Sequence, residues 1–306
     1  MTQMRRLEAP KAGDLFEGGR SSPVRSFDIE REDFERLRQE RPELVVSDDA
    51  GVMLLSPHGG LAWLHYGFES VDALRGSFRL LLERLLSTLR SHEAQAGVFL
   101  RFTDLPNRPY VEPVLNESLF ELLYEYMEMD LPELPDAPQP TDEIAPGFLL
   151  RAAGPDDTGT IAALVEAVFG EDTARRSVID DNVRRSVDLR VIEEKSGGRL
   201  VGLLGCLPGP ERTGEIAVMG VHPDYRRRSL GEAMMRWSLA WFREQGMRRA
   251  KLNARVDSPT AIALYRKLGF LPGRRGLVYR RPTDKRELDE MAAKRKGTYI
   301  KFGGWR

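Results

Sequence analysis

Cysteine is nearly absent from this sequence, since Cys206 is the only one in 306 residues. One thiol excludes an intrachain disulfide framework and is typical of proteins from a reducing compartment. An excess of charge of either sign is missing too, because 46 Lys and Arg residues stand against 47 Asp and Glu residues. That balance offers no bulk attraction for nucleic acid or for an anionic membrane, and we expect neither as a partner.

Long hydrophobic runs are also missing. No stretch reaches the ~20 apolar residues that a membrane-spanning helix needs, and residues 1–20 lack the apolar core of a signal peptide. With 41% hydrophobic and 30% charged residues, the composition is typical of a soluble globular protein. We therefore expect a cytoplasmic location. No cluster of His, Cys and Asp has the spacing of a metal site, so no metal is predicted.

The length is sufficient for two domains, and proline marks the boundary between them. Pro135, Pro138 and Pro140 lie close together, which is typical of a semi-rigid linker. We predict a flexible N-terminal arm at 1–25, a first domain at 26–133, a linker at 134–146, a second domain at 147–282 and a tail at 283–306.

Strand-like and helix-like patterns alternate in the second domain. Helical periodicity predicts helices at 156–169, 172–187, 229–245 and 259–268. Short apolar runs predict strands at 148–151, 189–193, 200–206, 213–221, 250–256 and 277–281. This alternation predicts an α/β fold in which helices flank a central sheet.

One segment of this domain carries a chemical signal. An apolar strand ends at Val221, Pro223 turns the chain, and the basic loop Arg226–Arg228 leads to Ser229 and Gly231 at the start of a long helix. The first N–H groups of a helix are unpaired and lie at the positive end of its dipole, so such an end binds pyrophosphate. A strand–turn–helix with a merely basic surface is the alternative.

The segment resembles the acyl-CoA-binding motif of the GNAT acetyltransferases, V-x-P-x-x-[QR]-x-x-G-x-[GA]. Val221, Pro223, Arg226 and Gly231 match, and Ser229 replaces the first glycine. Serine is small and favoured at helix N-caps, so we expect cofactor binding to survive. A second block, 256–270, is similar to the family's N-x-x-A-x-x-L-Y-x-K-x-G-F.

In that second block the leading asparagine is Ser258 here, and every other motif position matches. The resemblance covers about residues 147–282 and implies the GNAT fold, in which two central strands splay apart. It further implies that acetyl-CoA lies in the gap between the strands that end at Val221 and Val256. The residues that it assigns to the cofactor are Met219, Gly220, Val221, Arg226, Arg227, Arg228, Ser229, Leu230, Gly231, Glu232 and Ser258.

The resemblance also implies a reaction, the transfer of an acyl group from CoA to a primary amine by direct attack in a ternary complex. Glu215 occupies a position similar to that of the general base in some members, and an exposed strand carboxylate is the alternative. Tyr265 matches the family's general acid for the departing thiolate, and a packing tyrosine is the alternative. His222 is not predicted to take part, and we expect Cys206 to pack as a small hydrophobe.

The first domain repeats the element order of the centre of the second. The sequence predicts a hairpin over 52–64, helices at 71–89 and 110–116, a strand at 97–102, and a strand or helix at 120–127. Leu61–Phe68 followed by Val71–Ser77 looks like a worn copy of the strand–loop–helix segment, without its glycine and arginine spacing. We predict a degenerate, non-catalytic GNAT-like domain, with an unrelated α+β accessory domain as the alternative.

The tail ends in Phe302–Arg306, which combines aromatic residues with glycine. We expect it to dock over the acceptor cleft, on the first domain, or on a second chain in a homodimer. For the whole chain the sequence predicts an N-acyltransferase that uses acetyl-CoA and an amine acceptor. A CoA-binding sensor or scaffold without transfer activity is the alternative.

Overall fold

The computed structural model describes residues 12–27, 29–58, 60–90, 92–136, 141–170 and 172–302. The chain divides into two compact units: unit 1 comprises residues 1–122 and 278–306, and unit 2 comprises residues 123–277. This division begins unit 2 ahead of the proline-rich segment, so it differs from the sequence-based domain limits, which stay a prediction. Within the described ranges, no helix has the length and apolar character to cross a membrane.

Unit 1 is a sheet with helices packed against it. Its elements are α1 (Ala12–Ser21), β1 (Val24–Ser26), α2 (Arg31–Glu40), β2 (Val45–Ser47), β3 (Gly51–His58), β4 (Leu61–Phe68), α3 (Val71–Leu86), β5 (Gly97–Phe102) and α4 (Arg108–Glu117). The strand order is β2-β3-β4-β5, and β1 pairs with β4. The predicted hairpin, helices and strand of the first domain are therefore confirmed.

Local sequence accounts for most of these elements. The β3–β4 hairpin pairs from Gly51↔Phe68 to His58↔Leu61. Helix α3 begins where the Ser70 side chain accepts a hydrogen bond from the Ala73 N–H, which satisfies one of the unpaired donors of the first turn. The helix then buries the apolar positions that recur at helical spacing, namely Leu74, Phe78, Leu81, Leu82 and Leu85.

Residues 12–25, which the sequence analysis assigned to a flexible arm, instead form α1 and the start of β1. The reason is aromatic packing: Phe16 is only 1% exposed, and its ring centroid lies 5.8 Å from that of Phe27 and 5.3 Å from that of Phe34. These rings meet only in the folded chain, so the short local pattern does not reveal the helix. Residues 1–11 lie outside the described part of the chain.

The C-terminal segment completes unit 1 with the end of β13 (Leu271–Arg281) and with α9 (Lys285–Phe302). The Thr283 hydroxyl donates to the Ala94 carbonyl at 2.6 Å, and Arg295 donates to the carbonyls of Asn116 and Phe120. Of the three docking alternatives for the tail, packing on the first domain is the one that these contacts support. Residues 303–306 lie outside the described residues.

Unit 2 contains the longer mixed sheet. Its elements are β6 (Glu121–Leu131, from Leu123 onward), β7 (Glu143–Ala145), β8 (Phe148–Ala152), α5 (Thr158–Phe169), α6 (Thr173–Arg185), β9 (Asp188–Glu194), β10 (Leu200–Pro208), β11 (Thr213–Val221), α7 (Leu230–Glu244), β12 (Arg249–Arg255), α8 (Pro259–Lys267) and the start of β13. The strand order is β6-β12-β11-β10-β9-β8-β7. The segment at 120–127, predicted as strand or helix, is strand.

Helices pack on this sheet in two apolar clusters. One contains the buried residues of α7 and the inward face of β12, such as Met234 and Leu252. The other contains Ile161, Leu164 and Val165 of α5 with residues of β9 and β10. The predicted α/β fold with helices flanking a central sheet is thus confirmed, and the sheet is mixed, since β11 pairs parallel with β12 and antiparallel with β10.

Candidate active site

The centre of unit 2 holds a gap between two parallel strands. The β11–β12 ladder runs from Thr213↔Arg249 to Ile216↔Leu252. Beyond it, β11 continues beside β10 to Val221, and β12 continues beside β6 to Arg255. Because each strand then follows its outer neighbour, the two part after four residue pairs. These are the strands that the family resemblance identifies as splayed.

A β-bulge marks the point where β11 leaves β12. Gly205 lies opposite Val218 and Cys206 lies opposite Ile216, so Ala217 is an extra residue in β11. Ile216 packs in the α7 cluster, whereas Val218 packs in the α5 cluster. The bulge therefore reverses the sheet face on which the following side chains of β11 lie, as bulges do beside functional sites. No local pattern in the sequence predicts this bulge.

Backbone groups of β11 face the gap. The His222 N–H donates to the Val201 carbonyl on β10 at 2.8 Å. Because alternate residues of an antiparallel strand bond to the same neighbour, Gly220 also faces β10, while Met219 and Val221 present their N–H and C=O groups to the gap. The Val221 carbonyl accepts from Nε of Arg226 at 3.2 Å. An extended ligand in the gap would thus meet peptide groups on its β11 side.

The loop that follows β11 is basic and open to solvent. Arg226, Arg227 and Arg228 are all exposed. Buried Tyr225 holds the loop in place, because its hydroxyl donates to Oε2 of Glu194 at 2.9 Å. The Arg228 guanidinium lies 4.8 Å from the Tyr225 ring centroid, a distance at which cation–π attraction acts. The three guanidinium groups therefore concentrate positive charge beside the start of α7.

Ser229 does not cap α7 as predicted. It precedes the helix in the left-handed conformation, with φ 58° and ψ 7°, and its side chain makes no capping hydrogen bond. An N-cap side chain acts from extended backbone, so this conformation turns the hydroxyl away from that role. A left-handed residue with a Cβ costs about 1–2 kcal/mol, which explains physically why the family motif has glycine here.

The first turn of α7 leaves its backbone donors available. The Ala233 N–H donates to the Ser229 carbonyl at 3.0 Å, so the N–H groups of Leu230, Gly231 and Glu232 precede the first intrahelical bond. The Glu232 carboxylate faces away, toward Nζ of Lys267 at 2.6 Å and the Arg236 guanidinium at 2.8 Å. The hydrogen bonds from Lys267 and Arg236 lower the pKa of Glu232.

Tyr265 lies in α8 beside this helix end. It is 8% exposed and belongs to the same cluster as Leu230 and Met234 of α7. Burial raises the pKa of its phenol to about 12. Ser258, the residue before α8, is half-buried and makes no side-chain capping bond. Tyr265 thus lies close to α7, the helix that follows the basic loop. Among the described contacts, no cation lies against its hydroxyl group.

Glu215 lies at the closed end of the gap. Its Oε2 is 3.2 Å from Nζ of Lys251, the residue directly opposite it on β12, and its side chain is 28% exposed. On the same face, Lys251 lies opposite Asp130 and Asn253 lies opposite Glu128 of β6. The sheet face around Glu215 is therefore polar across three strands. The alternating pattern Lys251-x-Asn253-x-Arg255 is the sequence signal for this face, and it lies outside the predicted site residues.

The other two candidates behave as structural residues. Cys206 is fully buried, and burial raises the pKa of its thiol, so it packs as expected. His222 is half-buried, with Nε2 3.3 Å from the Arg199 guanidinium. Among the described residues, no three His, Cys, Asp or Glu side chains are grouped to hold a metal ion.

Comparison with known proteins identifies a family domain within unit 2. Residues 161–270 match the model of the acetyltransferase (GNAT) family. A mycothiol acetyltransferase from Mycobacterium sp. (strain JLS) is 32% identical over 132 residues, 42% of each chain. One from Nocardiopsis dassonvillei is 27% identical over 171 residues, 51% of this chain and 52% of the relative. The chain thus spans about half the length of these relatives, and about a quarter of the one from Streptomyces coelicolor.

Solved structures share the fold over most of the chain. A GCN5-related N-acetyltransferase from Sphaerobacter thermophilus superimposes with a TM-score of 0.56 at 18% identity, over 90% of this chain and 96% of that one. A tandem GNAT protein from the clavulanic acid biosynthesis pathway does so with a TM-score of 0.52 at 15% identity, over 88% and 93%. These coverages are consistent with two GNAT-like folds in the chain, and residues 161–270 form the part that matches the acetyltransferase (GNAT) family model.

Proposed function

We propose that unit 2 transfers an acetyl group, or a related acyl group, from acetyl-CoA to a primary amine in a ternary complex. The observation that carries this proposal is the gap between β11 and β12, which leads from a carboxylate at its closed end to three arginines at its open end. Acetyl-CoA has a matching shape, with an extended amide-containing arm and a pyrophosphate. The match to the GNAT family model over residues 161–270 supports the same assignment.

The cofactor would bind along β11 and end on α7. The gap-facing peptide groups of Met219 and Val221 would pair with the pantetheine amides and polarise the thioester carbonyl, an oxyanion-type role. Gly220 and Ser258 would border the arm. The pyrophosphate would receive the N–H groups of Leu230, Gly231 and Glu232, where the helix dipole favours an anion. Arg226, Arg227, Arg228 and exposed Ser229 form the loop around it.

The reaction needs a neutral amine, yet a lysine-like amine has a pKa near 10.4. Glu215 would accept the proton. It lies four residues from Met219, about 13 Å along a strand at ~3.3 Å per residue, so ordered water would relay the proton. The amine nitrogen then attacks the thioester carbon, the nitrogen of the tetrahedral intermediate loses its second proton to water, and the C–S bond breaks to expel CoA as the thiolate. The products are an amide and CoA.

Tyr265 would protonate the departing thiolate. Proton transfer from a phenol of pKa about 12 to a thiolate whose conjugate thiol has a pKa of ~8.5 in water is uphill by about 5 kcal/mol at 1.36 kcal/mol per unit. A thiolate in the same apolar surroundings also has a raised pKa, because burial penalises its charge. The transfer is therefore favourable only if the thiolate forms in the buried part of the gap.

The acceptor would lie on the polar face around Glu215. The mixed charges there, including Lys251, Asp130 and Glu128, suit an amine that carries further polar groups. The curated relatives are named mycothiol acetyltransferases, so an acceptor related to mycothiol is the first to test. The alternative function is a CoA-binding sensor or scaffold, and the burial of Tyr265 is the observation that favours it.

Calorimetric titration with acetyl-CoA and with CoA tests the cofactor site. Gly231→Trp should abolish binding, because the ring would fill the space over the helix start. Gly159→Trp is the matched control, since this helical glycine of unit 2 has open space around it. Binding by wild type and by the control, lost in Gly231→Trp, supports the proposal. Equal binding by Gly231→Trp and wild type would show that acetyl-CoA does not bind in this gap.

Turnover then separates the enzyme from the sensor. Mass-spectrometric detection of acetylated product over an amine panel should show transfer by wild type. Tyr265→Phe should lower kcat while leaving the Kd for acetyl-CoA unchanged. A protein that binds acetyl-CoA but acetylates nothing in the panel, with Tyr265→Phe indistinguishable from wild type, would favour the sensor.

A further inference from the structure

Unit 1 contains a gap of the same construction as the one in unit 2. The parallel β4–β5 ladder runs from Leu61↔Gly97 to Leu64↔Leu100, four residue pairs as in β11–β12. Beyond the ladder, β4 continues to Phe68 and β5 to Phe102. Unit 1 therefore has its own pair of parting strands, followed by its own helix, α3.

A strand of the same chain fills that gap. Strand β1 pairs antiparallel with β4 at Val24↔Phe68, Arg25↔Gly67 and Ser26↔Tyr66. On its other side, the Ser26 hydroxyl donates to the Arg101 carbonyl of β5, and Asn107 donates to the Pro23 carbonyl at 3.4 Å. Val24 and Ser26 are each 3% exposed. The segment 22–27 is thus held from both walls of the gap.

The filled positions correspond to those proposed to bind acetyl-CoA in unit 2. Tyr66–Phe68 lie two to four residues beyond the last ladder residue of β4, Leu64. Met219–Val221 lie two to four residues beyond Ile216 once the bulged Ala217 is left out. The backbone of β1 therefore takes the place along β4 that a pantetheine arm would take along β11.

In unit 2 the strand that precedes the first helix does not lie in the gap. There β8, which precedes α5, pairs with β9 from Phe148↔Glu194 to Ala152↔Arg190. In unit 1 the strand at the equivalent point of the sequence, β1, pairs with β4 and not with β2. The difference between the units is thus a specific placement of residues 22–27, and glycines permit it. A Cβ on Gly67 would meet the Gly19 carbonyl oxygen at 2.5 Å.

The phosphate end of the unit 1 gap has also changed. Two residues, Glu69 and Ser70, join β4 to α3, and the Ser70 side chain caps the helix. In unit 2 the connection is the arginine-rich segment 222–229. A cavity of about 450 Å³ beside the end of β4 is lined in part by Asp48, Asp49 and Glu69. Carboxylates here repel a pyrophosphate, whereas arginines attract one.

We propose that the gap of unit 1 is a site for an extended peptide strand, occupied in cis by residues 22–27, and that it takes no acyl-CoA. Main-chain hydrogen bonds from β4 hold the occupant, as in strand addition to a sheet edge, and the Val24 and Ser26 side chains enter the walls. This proposal rests on the proposed function only in identifying the unit 2 gap as the acetyl-CoA site. One acetyl-CoA per chain follows.

Hydrogen exchange of the full-length protein tests the occupant. Amides of residues 24–26 and 66–68 should exchange slowly, together with the core of unit 1. Gly67→Ala should speed exchange across residues 15–26 by at least about tenfold, because a local opening of ~1.4 kcal/mol suffices for that change. Gly76→Ala is the matched control, since Gly76 of α3 has open space around it. Unprotected amides at 24–26 in wild type would overturn the proposal.

Adding acetyl-CoA in the same experiment tests whether the gap of unit 1 excludes the cofactor. Ligand-induced protection should appear in residues 217–233 and be absent from 63–73, and Gly231→Trp should lose all of it. Protection at 63–73, or one acetyl-CoA retained per Gly231→Trp chain, would show that unit 1 binds the cofactor and would overturn the proposal. If acetyl-CoA protects neither region, the proposed function of unit 2 fails, while the exchange at 24–26 and the effect of Gly67→Ala still decide the occupant of unit 1.

Discussion

The Glu215 carboxylate lies 3.2 Å from the ammonium nitrogen of Lys251, its direct partner across the parallel β11–β12 ladder. The pair stands one step before the ladder ends at Ile216↔Leu252. A carboxylate thus occupies the closed end of the gap, and Arg226–Arg228 occupy the open end. This polarity would orient acetyl-CoA with its phosphates outward and its thioester toward Glu215.

Removing the Glu215 charge should slow acyl transfer without weakening the binding of acetyl-CoA. Glu215→Gln should lower kcat/KM by about 100-fold, within the 10²–10⁴ range of a general base, and leave the Kd for acetyl-CoA unchanged. Glu143→Gln removes a Glu–Lys ion pair on an edge strand, the 2.9 Å contact with Lys195, and should not change turnover. Steady-state kinetics with calorimetry measures both quantities. Full activity in Glu215→Gln would show that Glu215 is not the general base.

Glycine at position 229 should relieve strain in the cofactor loop. Because Ser229 is left-handed, Ser229→Gly should raise the free energy of unfolding by about 0.5–1 kcal/mol, after the entropy cost of glycine is subtracted from the strain. Ser229→Ala keeps the Cβ and loses only the hydroxyl, so it should not stabilise. Urea unfolding monitors both variants. Equal stabilisation by alanine would assign the cost to the hydroxyl instead of the backbone.

Because the pKa of the Tyr265 phenol is raised, we expect this residue to contribute to the loss of folding stability at alkaline pH. Its pKa in the folded protein, about 12, exceeds the unfolded value of ~10, so the stability it contributes is present below pH ~10 and is lost as the pH rises through 12. Tyr265→Phe should therefore flatten the fall in unfolding free energy between these pH values. Tyr110 is 51% exposed, and Tyr110→Phe is the control that should keep the wild-type slope.

Asp157 should stabilise unit 2 down to acidic pH. Its carboxylate accepts two hydrogen bonds from Arg151, at 2.7 and 2.9 Å, and one from the Gly154 N–H. These bonds lower its pKa to about 2, so the contribution is present above pH ~4 and disappears as the pH falls through 2.

Asp157→Asn should cost about 2 kcal/mol at neutral pH, and the difference from wild type should shrink to a fraction of that value as the pH falls toward 2. Exposed Asp156 is the adjacent control, and Asp156→Asn should be neutral. Denaturant unfolding at pH 7 and pH 2.5 measures the effect. A pH-independent loss in Asp157→Asn would assign it to packing instead of charge.

The elements and the cofactor motif follow from the sequence because their signals are local. Helical spacing of Leu74, Phe78 and Leu81 specifies α3, and the order Val221, Pro223, Arg226, Gly231 identifies the strand, turn and helix start. Tyr265 comes from the second block, 256–270, and Glu215 from its position on the strand that ends at Val221. The role of Ser229 was predicted incorrectly, since residue type suggests a cap, whereas the φ angle depends on how the loop closes.

The sequence by itself determined the α/β class, the GNAT resemblance and the residues that could carry acyl transfer, because each depends on neighbours within one element. Only the tertiary structure decided that Ala217 bulges, that the Glu232 side chain faces Lys267, and that Val24–Ser26 occupies the gap of unit 1. Each of these depends on residues far apart in the chain. Phe16, Phe27 and Phe34 become a cluster, and Gly19 reaches Gly67, only when the sheet has formed, so no local pattern could reveal them.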